Sequence, residues 1–155
     1  MKPLLRALGP NDIRQCAAMV VDSVLGQPYG FTLEGMTATL SAAHHAGQDL
    51  VVAEDAEGPA GFAWIDPRGA FSAPYLRLLA VADRARGAGV GGALLEEFER
   101  RTATVGRDYC LLVSEFNESA RLFYARHDYE ICGFLDDFAR PGIKEILMVK
   151  HRIAR

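Results

Sequence analysis

One stretch decides the fold of this chain: residues 79–95 read LAVADRARGAGVGGALL. The apolar run that leads into it, residues 78–81, predicts a strand, and Val90, Leu94 and Phe98 recur at helical spacing after it. The glycine-rich part, residues 87–92, therefore lies where a strand passes into a helix. Backbone N–H groups with no side chain beside them can approach an anion closely, and the positive end of the helix dipole favours one there. The stretch predicts a phosphate-binding loop.

The spelling of the loop separates it from two common phosphate motifs. It contains no GxxxxGK[S/T] sequence, and it lacks the final spacing of GxGxxG. It resembles instead the RGxGxG signature of the GNAT acetyltransferase superfamily, which Arg86, Gly87, Gly89 and Gly91 match. If the motif stood alone, a glycine-rich turn that only caps a core helix would be the alternative.

A second motif follows one predicted strand later, in residues 117–129. Asn117, Ala120 and Tyr124 match the other GNAT signature, NxxAxxxYxxxGF, at the correct spacing. Asp128 replaces the usual glycine and Tyr129 the usual phenylalanine, but Asp tolerates the left-handed backbone that ends a helix, and Tyr keeps the ring. With both signatures in order, the chain is identified as resembling the GNAT superfamily.

Hydrophobic periodicity predicts the elements along the chain. Strands are predicted at residues 4–8, 50–54, 60–65, 75–81, 109–113, 129–134 and 145–152. About four helices are predicted: from Asn11 or Asp12 through Val24, from Thr32 to His44, from Val90 onward, and from Asn117 to Asp128. A turn is expected at residues 66–69, and an exposed loop is expected to carry Tyr29 and Phe31. Trp64 is expected in the core, and His44 is assigned to structure or surface.

The resemblance implies how these elements assemble. It implies an α+β protein built on a central mixed, mostly antiparallel seven-stranded sheet, splayed like a V between its fourth and fifth strands. The strands on either side of the glycine helix are expected to be parallel neighbours. Because the chain has 155 residues, half of them hydrophobic, it is expected to form a single domain over residues 1–155.

The resemblance also implies acetyl-CoA as cosubstrate and the residues that would hold it. The backbone of the strand before the loop would pair with the pantetheine arm, as an added strand does; its residues are Leu79, Ala80 and Val81. The loop would bind the pyrophosphate through its amides; its residues are Arg86, Gly87, Ala88, Gly89, Val90, Gly91 and Gly92. Asn117 would hydrogen-bond the arm. Tyr124 would lie next to the sulfur as the general acid, although core packing alone would explain Tyr124 without the motif.

The general base is the gap in this pattern. Many family members carry a carboxylate on the strand before the loop, where this chain has Arg77 and Leu78, and others carry a glutamate at the position of Leu112. Glu115 is the nearest carboxylate that could face the cleft, and the alternatives are a solvated loop carboxylate and a water relay. The acceptor side would be lined from three segments; their candidate residues are Tyr29, Phe31, Arg77, Asp136, Asp137 and Phe138.

Composition excludes several classes of protein. The net charge of −3, with arginines spread among acidic residues, shows no basic stripe of the kind that binds nucleic acid. No apolar run has the length of a membrane span, and no signal-peptide core is present. Three cysteines, among apolar neighbours and without metal-site spacing, fit a reducing cytoplasm and predict no metal. A homodimer is one expected form of assembly.

The sequence therefore favours an acetyl-CoA-dependent N-acetyltransferase that acts on a primary amine of a small molecule or amino acid. A non-catalytic acyl-CoA sensor or partner-binding module of the same fold is the alternative, because the base is absent. A protein or peptide amine acetyltransferase and ordinary nucleotide binding at the loop are also left open.

Overall fold

The computed structural model describes residues 2–152. The strands of this part of the chain are β1 (Leu4–Ala7), β2 (Asp49–Asp55), β3 (Gly58–Ala70), β4 (Ala73–Val81), β5 (Asp108–Ser114), β6 (Glu130–Leu135) and β7 (Glu145–His151). Its α-helices are α1 (Ile13–Val21), α2 (Gly26–Tyr29), α3 (Leu33–His45), α4 (Val90–Arg101) and α5 (Glu118–Arg126). Short 3₁₀ turns at Pro10–Asp12 and Asp83–Ala85 precede α1 and the glycine loop.

The strands form one sheet in the order β1-β2-β3-β4-β5-β7-β6. The pairs β1–β2, β2–β3, β5–β7 and β6–β7 are antiparallel. β4 and β5 are parallel, with Tyr75 opposite Cys110 and Leu76 opposite Leu111. The prediction of an α+β fold with a mixed, mostly antiparallel seven-stranded sheet is confirmed, and so is the parallel pair on either side of the glycine helix.

The chain forms two compact units. The first contains the residues up to Asp66 together with Leu78–Ala103, and the second contains Pro67–Arg77 together with the residues from Thr104 onward. β3 and β4 each contribute to both units. The organisation as one domain stays a prediction.

The core of the first unit forms where α1 and α3 pack on β2 and β3. Helical spacing places Cys16 and Val20 on the buried face of α1, Leu40 comes from α3, and Phe62 and Trp64 come from β3. Burying one such large apolar side chain contributes about 1.5–3 kcal/mol. The indole Nε1 of Trp64 donates to Gln48 Oε1 at 2.7 Å, so its polar atom is satisfied. The prediction that Trp64 belongs to the core is confirmed.

The second unit buries the side chains of its central strands. Leu111 of β5 lies opposite Met148 of β7, and Val113 lies opposite Ile146. All four are nearly inaccessible to solvent. The strand predicted at residues 109–113 is confirmed by β5.

The predicted turn at residues 66–69 is wrong, because β3 continues through it to Ala70. The chain reverses instead at Phe71 and Ser72, whose φ angles are 49° and 69°. The ladder between β2 and β3 ends where Asp49 lies opposite Ile65. Pro67 has no N–H to donate, and beyond that pair it is tolerated in a strand. The chain therefore reverses at two non-glycine residues in the left-handed region and not at the proline and glycine that predicted the turn.

The first helix ends at Val21 rather than at the predicted Val24, whose side chain is 52% exposed. The Ser23 hydroxyl donates to the Val20 carbonyl at 2.7 Å and competes for a carbonyl at the end of the helix. The chain then folds back at Gly26, where a Cβ atom would lie 1.8 Å from the Val21 carbonyl oxygen. Only glycine fits this approach, which separates α1 from α2.

The exposed loop predicted for Tyr29 and Phe31 is also wrong. Tyr29 is the last residue of α2, and Phe31 is half-buried and packs against the core of the first unit. The two rings stack with centroids 5.4 Å apart and planes 11° apart.

Between residues 2 and 152, no helix is long and apolar enough to cross a membrane. Over the same residues, no group of three or more His, Cys, Asp or Glu side chains is placed to hold a metal ion. His44 lies in the last turn of α3, half-buried.

An arginine–carboxylate network fastens β1 to β2. Arg6 donates to both carboxylate oxygens of Asp12, at 2.7 and 2.9 Å, and it also donates to Glu54. Asp12 is buried and accepts the Gly9 N–H at 2.8 Å. The hydrogen bonds from Arg6 hold the pKa of Asp12 below its ordinary value. The network therefore depends on an ionised Asp12.

Replacing Asp12 by asparagine should lower the free energy of unfolding by about 1–3 kcal/mol at pH 7, because a bidentate charge-assisted contact is lost. A group whose pKa is lowered by folding stabilises above its unfolded pKa, here about 3.9, and that contribution disappears as the pH falls through the folded pKa. The difference between the native protein and Asp12→Asn should therefore be constant above about pH 5 and shrink in acid. Urea unfolding at a series of pH values measures it.

Asp136→Asn is the matched control for this prediction, because Asp136 forms an ion pair in which its side chain is 73% exposed. Exposed pairs contribute little to stability. If Asp12→Asn were as stable as the native protein at pH 7, the network would not hold β1 in place.

Candidate active site

The glycine loop connects β4 to α4 through two left-handed residues. Gly87 has φ 76° and Gly89 has φ 85°, a region that other residues rarely adopt. A Cβ atom added at either glycine would meet no atom within 4 Å. Glycine is therefore required here by backbone conformation rather than by packing against the protein, and the space beside both residues is open.

Helix α4 begins directly after this turn, with Gly89 as its N-cap. The Ala93 N–H makes the first helical bond, to the Gly89 carbonyl at 3.0 Å. The N–H groups of Val90, Gly91 and Gly92 precede this bond and have no acceptor within the helix. Amides without acceptors at the positive end of a helix dipole form a site for an anion. The prediction that the glycine-rich residues lie where a strand passes into a helix is confirmed.

Burial of one face fixes the position of α4. Val90, Leu94 and Phe98 are each no more than 4% exposed, as their helical spacing predicts, and Leu95 is also buried. Arg100 and Arg101 lie in the last turn, where a positive charge complements the negative end of the dipole. The start of the helix is thus held by the core, while its first amides stay open.

An arginine clamp fastens the chain just before the loop. Arg84 forms ion pairs with Asp55 at 2.7 Å and with Glu57 at 3.3 Å, and it donates to the carbonyls of Gly58 and Pro59. The hydrogen bond from Arg84 holds the pKa of Asp55 below its ordinary value. The contacts join the loop to the turn between β2 and β3.

Arg86, the charged residue of the motif, pairs with Asp83 at 3.0 Å on the surface. Both side chains are more than half exposed, so the pair contributes little to stability. The guanidinium of Arg86 is therefore accessible beside the loop.

The end of β4 supplies the strand backbone named by the sequence. Leu79, Ala80 and Val81 are half-buried, and the N–H of Ala82 bonds to the Ala60 carbonyl at 2.8 Å. The pairing of β4 with β5 involves Tyr75 and Leu76, which precede these residues in the strand.

In the second unit, Asn117 is the N-cap of α5, in accord with the preference of asparagine for this position. Its Oδ1 accepts the Ala120 N–H at 3.4 Å. This bond uses the amide oxygen, so the two Nδ2 hydrogens of Asn117 do not take part in the cap. After α5 the backbone turns left-handed at Asp128, with φ 71°. The expectation that aspartate would serve at this glycine position is confirmed.

Tyr124 lies on the buried face of α5, 8% exposed. Its ring makes edge contacts with Phe123, at 5.2 Å between centroids, and with Tyr129, at 5.9 Å. Burial, and secondly the nearby Tyr75, raise the pKa of Tyr124 above its ordinary value. The hydroxyl therefore carries its proton at neutral pH.

Three carboxylates of the second unit that the sequence named, Glu115, Asp136 and Asp137, are engaged with a lysine or with backbone. Glu115 lies directly after β5 and is exposed, with Oε2 3.6 Å from Lys144 Nζ. The same ammonium lies 3.6 Å from Asp136, while Asp137 accepts the Gly142 N–H at 2.6 Å. The structure thus places Glu115 in a surface ion pair.

The candidate acceptor residues are distributed over both units. Tyr29 and Phe31 belong to the first unit, as do the loop and the end of β4. Arg77 and Phe138 belong to the second, together with Glu115, Asn117 and Tyr124. Arg77 is exposed, and Phe138 is 63% exposed.

The sequence that forms the glycine loop and α5 matches a known protein family. The family description of the acetyltransferase (GNAT) domain matches residues 46–131, which contain both the glycine loop and α5. The chain belongs to the GNAT acetyltransferase family. Membership makes the protein an acyltransferase.

Solved structures share the fold of this GNAT protein at low identity. An aminoglycoside 6′-N-acetyltransferase complexed with coenzyme A is 17% identical, with 98% of each chain covered and a TM-score of 0.77. A phosphinothricin acetyltransferase from Sinorhizobium meliloti in complex with AcCoA is 22% identical, with 97% of this chain and 89% of that chain covered and a TM-score of 0.74. A ribosomal-protein-alanine N-acetyltransferase from Brucella melitensis is 21% identical, with 96% and 99% covered and a TM-score of 0.68. No curated protein matches the sequence significantly.

One residue that the sequence reasoning missed is Gly61 of β3. A Cβ atom there would lie 2.8 Å from the Ala80 carbonyl oxygen, 2.8 Å from Val90 Cγ1 and 3.1 Å from Leu94 Cδ1. The absence of a side chain lets the end of β4 and the start of α4 approach β3 closely. An isolated glycine within a strand pattern is the signal that would have indicated such a contact.

Gly61→Ala should therefore lower the free energy of unfolding by about 1–3 kcal/mol, because backbone and buried side chains must move to admit the methyl group. Gly133→Ala is the control, since Gly133 also lies in a strand and a Cβ atom there would meet nothing within 4 Å. Thermal unfolding of both variants measures the difference. Equal stability of the two would show that α4 does not depend on this approach.

Proposed function

We propose that this GNAT protein transfers the acetyl group of acetyl-CoA to a primary amine of a small molecule or an amino acid. The observation that carries the proposal is the loop before α4, where two left-handed glycines are followed by three helix N-terminal amides that have no acceptor within the helix. Such amides suit a pyrophosphate, because phosphate oxygens are strong acceptors and the dipole adds attraction. Two of the structurally similar proteins are described as complexed with coenzyme A or AcCoA, which supports the same cosubstrate here.

We assign the pyrophosphate to the amides of the loop, with the exposed guanidinium of Arg86 beside it. The backbone of Leu79, Ala80 and Val81 would pair with the pantetheine arm as a strand would. The Nδ2 hydrogens of Asn117, which the helix cap does not use, would be its amide donors to the arm.

The cosubstrate supplies an acetyl thioester, whose C–S bond breaks as the acceptor nitrogen forms a C–N bond to the acetyl carbon. A backbone N–H of residues 79–81 would stabilise the charge that develops on the carbonyl oxygen. Tyr124 would donate its proton to the departing sulfur, and its raised pKa keeps that proton in place until then.

The amine must lose a proton during the reaction, either to Glu115 or to water. Glu115 is the proposed base because it follows β5 directly, but its ion pair with Lys144 would have to open first. A free α-amine, with an ordinary pKa of about 7.7–8.0, is partly neutral at pH 7, whereas a lysine side chain, with a pKa of about 10.4, is almost wholly charged. Without a dedicated buried base, small amines and amino acids are favoured over lysine side chains.

The similar structures do not choose among acceptors, since their names span an aminoglycoside, phosphinothricin and a ribosomal-protein alanine. Acetylation of a protein or peptide amine is therefore the second candidate. A binding module without turnover is the third.

We further propose a cytoplasmic location, on the ground that the cysteines fit a reducing compartment.

Acetyl-CoA at about 100 times its dissociation constant should stabilise the folded protein by roughly 2.7 kcal/mol, seen as a rise in melting temperature. Gly89→Glu should abolish the rise, because a side chain and a negative charge would occupy the phosphate site. Differential scanning fluorimetry with acetyl-CoA, ATP and NAD measures the effect. An equal rise with all three ligands would favour ordinary nucleotide binding, and no rise with millimolar acetyl-CoA would contradict the proposal.

Gly47→Glu is the matched control for that variant. Gly47 is also left-handed, with φ 72°, and a Cβ atom there would meet nothing within 4 Å. The substitution introduces the same backbone strain and charge away from the loop. It should lower the melting temperature without ligand but leave the rise with acetyl-CoA unchanged.

Tyr124→Phe should lower the single-turnover rate by about 10²–10⁴-fold while it leaves the acetyl-CoA stabilisation intact, because the ring still packs and only the proton donor is lost. Release of free thiol is followed with the best acceptor from a panel of amino acids, small amines, aminoglycosides and peptides. Tyr129→Phe removes a neighbouring buried hydroxyl and should have a small effect.

Two results would count against this assignment. An unchanged single-turnover rate in Tyr124→Phe would return Tyr124 to a packing role. Saturable binding of acetyl-CoA without thiol release from any member of the panel would favour the binding module.

A further inference from the structure

Arg121 of α5 lies on the same face of the helix as Asn117 and Tyr124. It follows Asn117 by four residues and precedes Tyr124 by three, and both spacings place side chains next to one another along a helix. The residue is not part of either signature motif, and nothing in the mechanism above uses it.

The guanidinium of Arg121 is partly withdrawn from water without a partner. Its Nε atom is buried and has no hydrogen-bond acceptor, and no ion pair of Arg121 is found among residues 2–152. Other arginines of the chain behave differently, since Arg6, Arg84 and Arg101 each pair with a carboxylate. A buried donor that is left unsatisfied costs free energy. Because Arg121 is only half-buried and its charge has no ion-pair partner among residues 2–152, the residue is suited to an anion that the protein chain does not itself supply.

We propose that Arg121 binds a phosphate group of acetyl-CoA. The inference rests on the proposed function, because Asn117 and Tyr124 make this face of α5 the one that meets the cofactor. A planar guanidinium matches phosphate oxygens with paired N–H donors. Coenzyme A carries phosphate in its pyrophosphate and at the 3′ position of its ribose, and either group offers this chemistry.

The test compares Arg121→Gln with Arg126→Gln by calorimetric titration of acetyl-CoA. Arg126 is an exposed arginine on the same helix, half a turn out of phase with Asn117, so its removal controls for the loss of one positive charge. Arg121→Gln should weaken binding by about 10- to 100-fold, the range for a charge-assisted contact. Arg126→Gln should stay within about twofold of the native protein, as expected for an exposed, distant charge.

A second ligand, acetyl-3′-dephospho-CoA, identifies the phosphate. If Arg121 binds the 3′-phosphate, the native protein should bind this ligand more weakly than acetyl-CoA, and Arg121→Gln should bind both ligands equally. If Arg121 binds the pyrophosphate, Arg121→Gln should lose the same factor for both ligands. Arg121→Lys keeps the charge but loses the planar set of paired N–H donors, so this variant should bind acetyl-CoA with intermediate affinity.

A purely structural role of Arg121 predicts a different result. Because its Nε has no partner, Arg121→Gln should unfold without ligand at the same temperature as the native protein, or at a slightly higher one. Destabilisation of the ligand-free variant with unchanged affinity would overturn the inference, and so would affinity equal to that of Arg126→Gln. Failure of the native protein to bind acetyl-CoA would remove the proposed function itself, and this inference with it.

Discussion

The left-handed turn at Gly87 and Gly89 is the constraint on which the site in the first unit depends. A helix always begins with amides that it cannot satisfy, and a helix with a buried face usually satisfies them with a side-chain cap. Here the N-cap is a glycine, which has no side chain to offer. The core holds the buried face of α4, so the open amides keep their direction. The orientation of these amides is thus a consequence of how the helix is packed.

The sequence predicted well those features that depend on neighbours along the chain. The glycine loop, the cap by Asn117 and the left-handed Asp128 each follow from local conformational preference, and all three are found. The turn at residues 66–69 failed because its signal is local while the outcome is set by where the β2 ladder ends. Val24 and Tyr29 failed for a related reason, since the fold-back at Gly26 depends on a contact with Val21 that periodicity does not reveal.

The features that sequence reasoning missed arise from contacts between distant residues. The sequence does not distinguish Gly61 from the other glycines, and only the structure shows that Ala80 and Val90 approach it closely. From the sequence, Arg121 is an ordinary surface arginine on a helix, and only the structure shows that its Nε is buried without a hydrogen-bond partner. For Tyr124 the motif and the packing agree, because a phenol can be both a core ring and a proton donor when its hydroxyl stays neutral. Glu115 shows the reverse, since its position favours a base while its ion pair does not.

The Arg84 clamp has a consequence for how tightly an anion can be held. Binding to a flexible loop loses affinity to the conformational entropy of ordering that loop. In this protein Arg84 joins the chain before the loop to the β2–β3 turn, and the N–H groups of Arg86 and Ala88 bond to the carbonyls of Asp83 and Ala85. The ordering is completed during folding, so an anion that binds there would meet a preorganised loop. Its affinity would thereby be linked to a turn that lies more than twenty residues earlier in the chain, at Asp55 and Glu57.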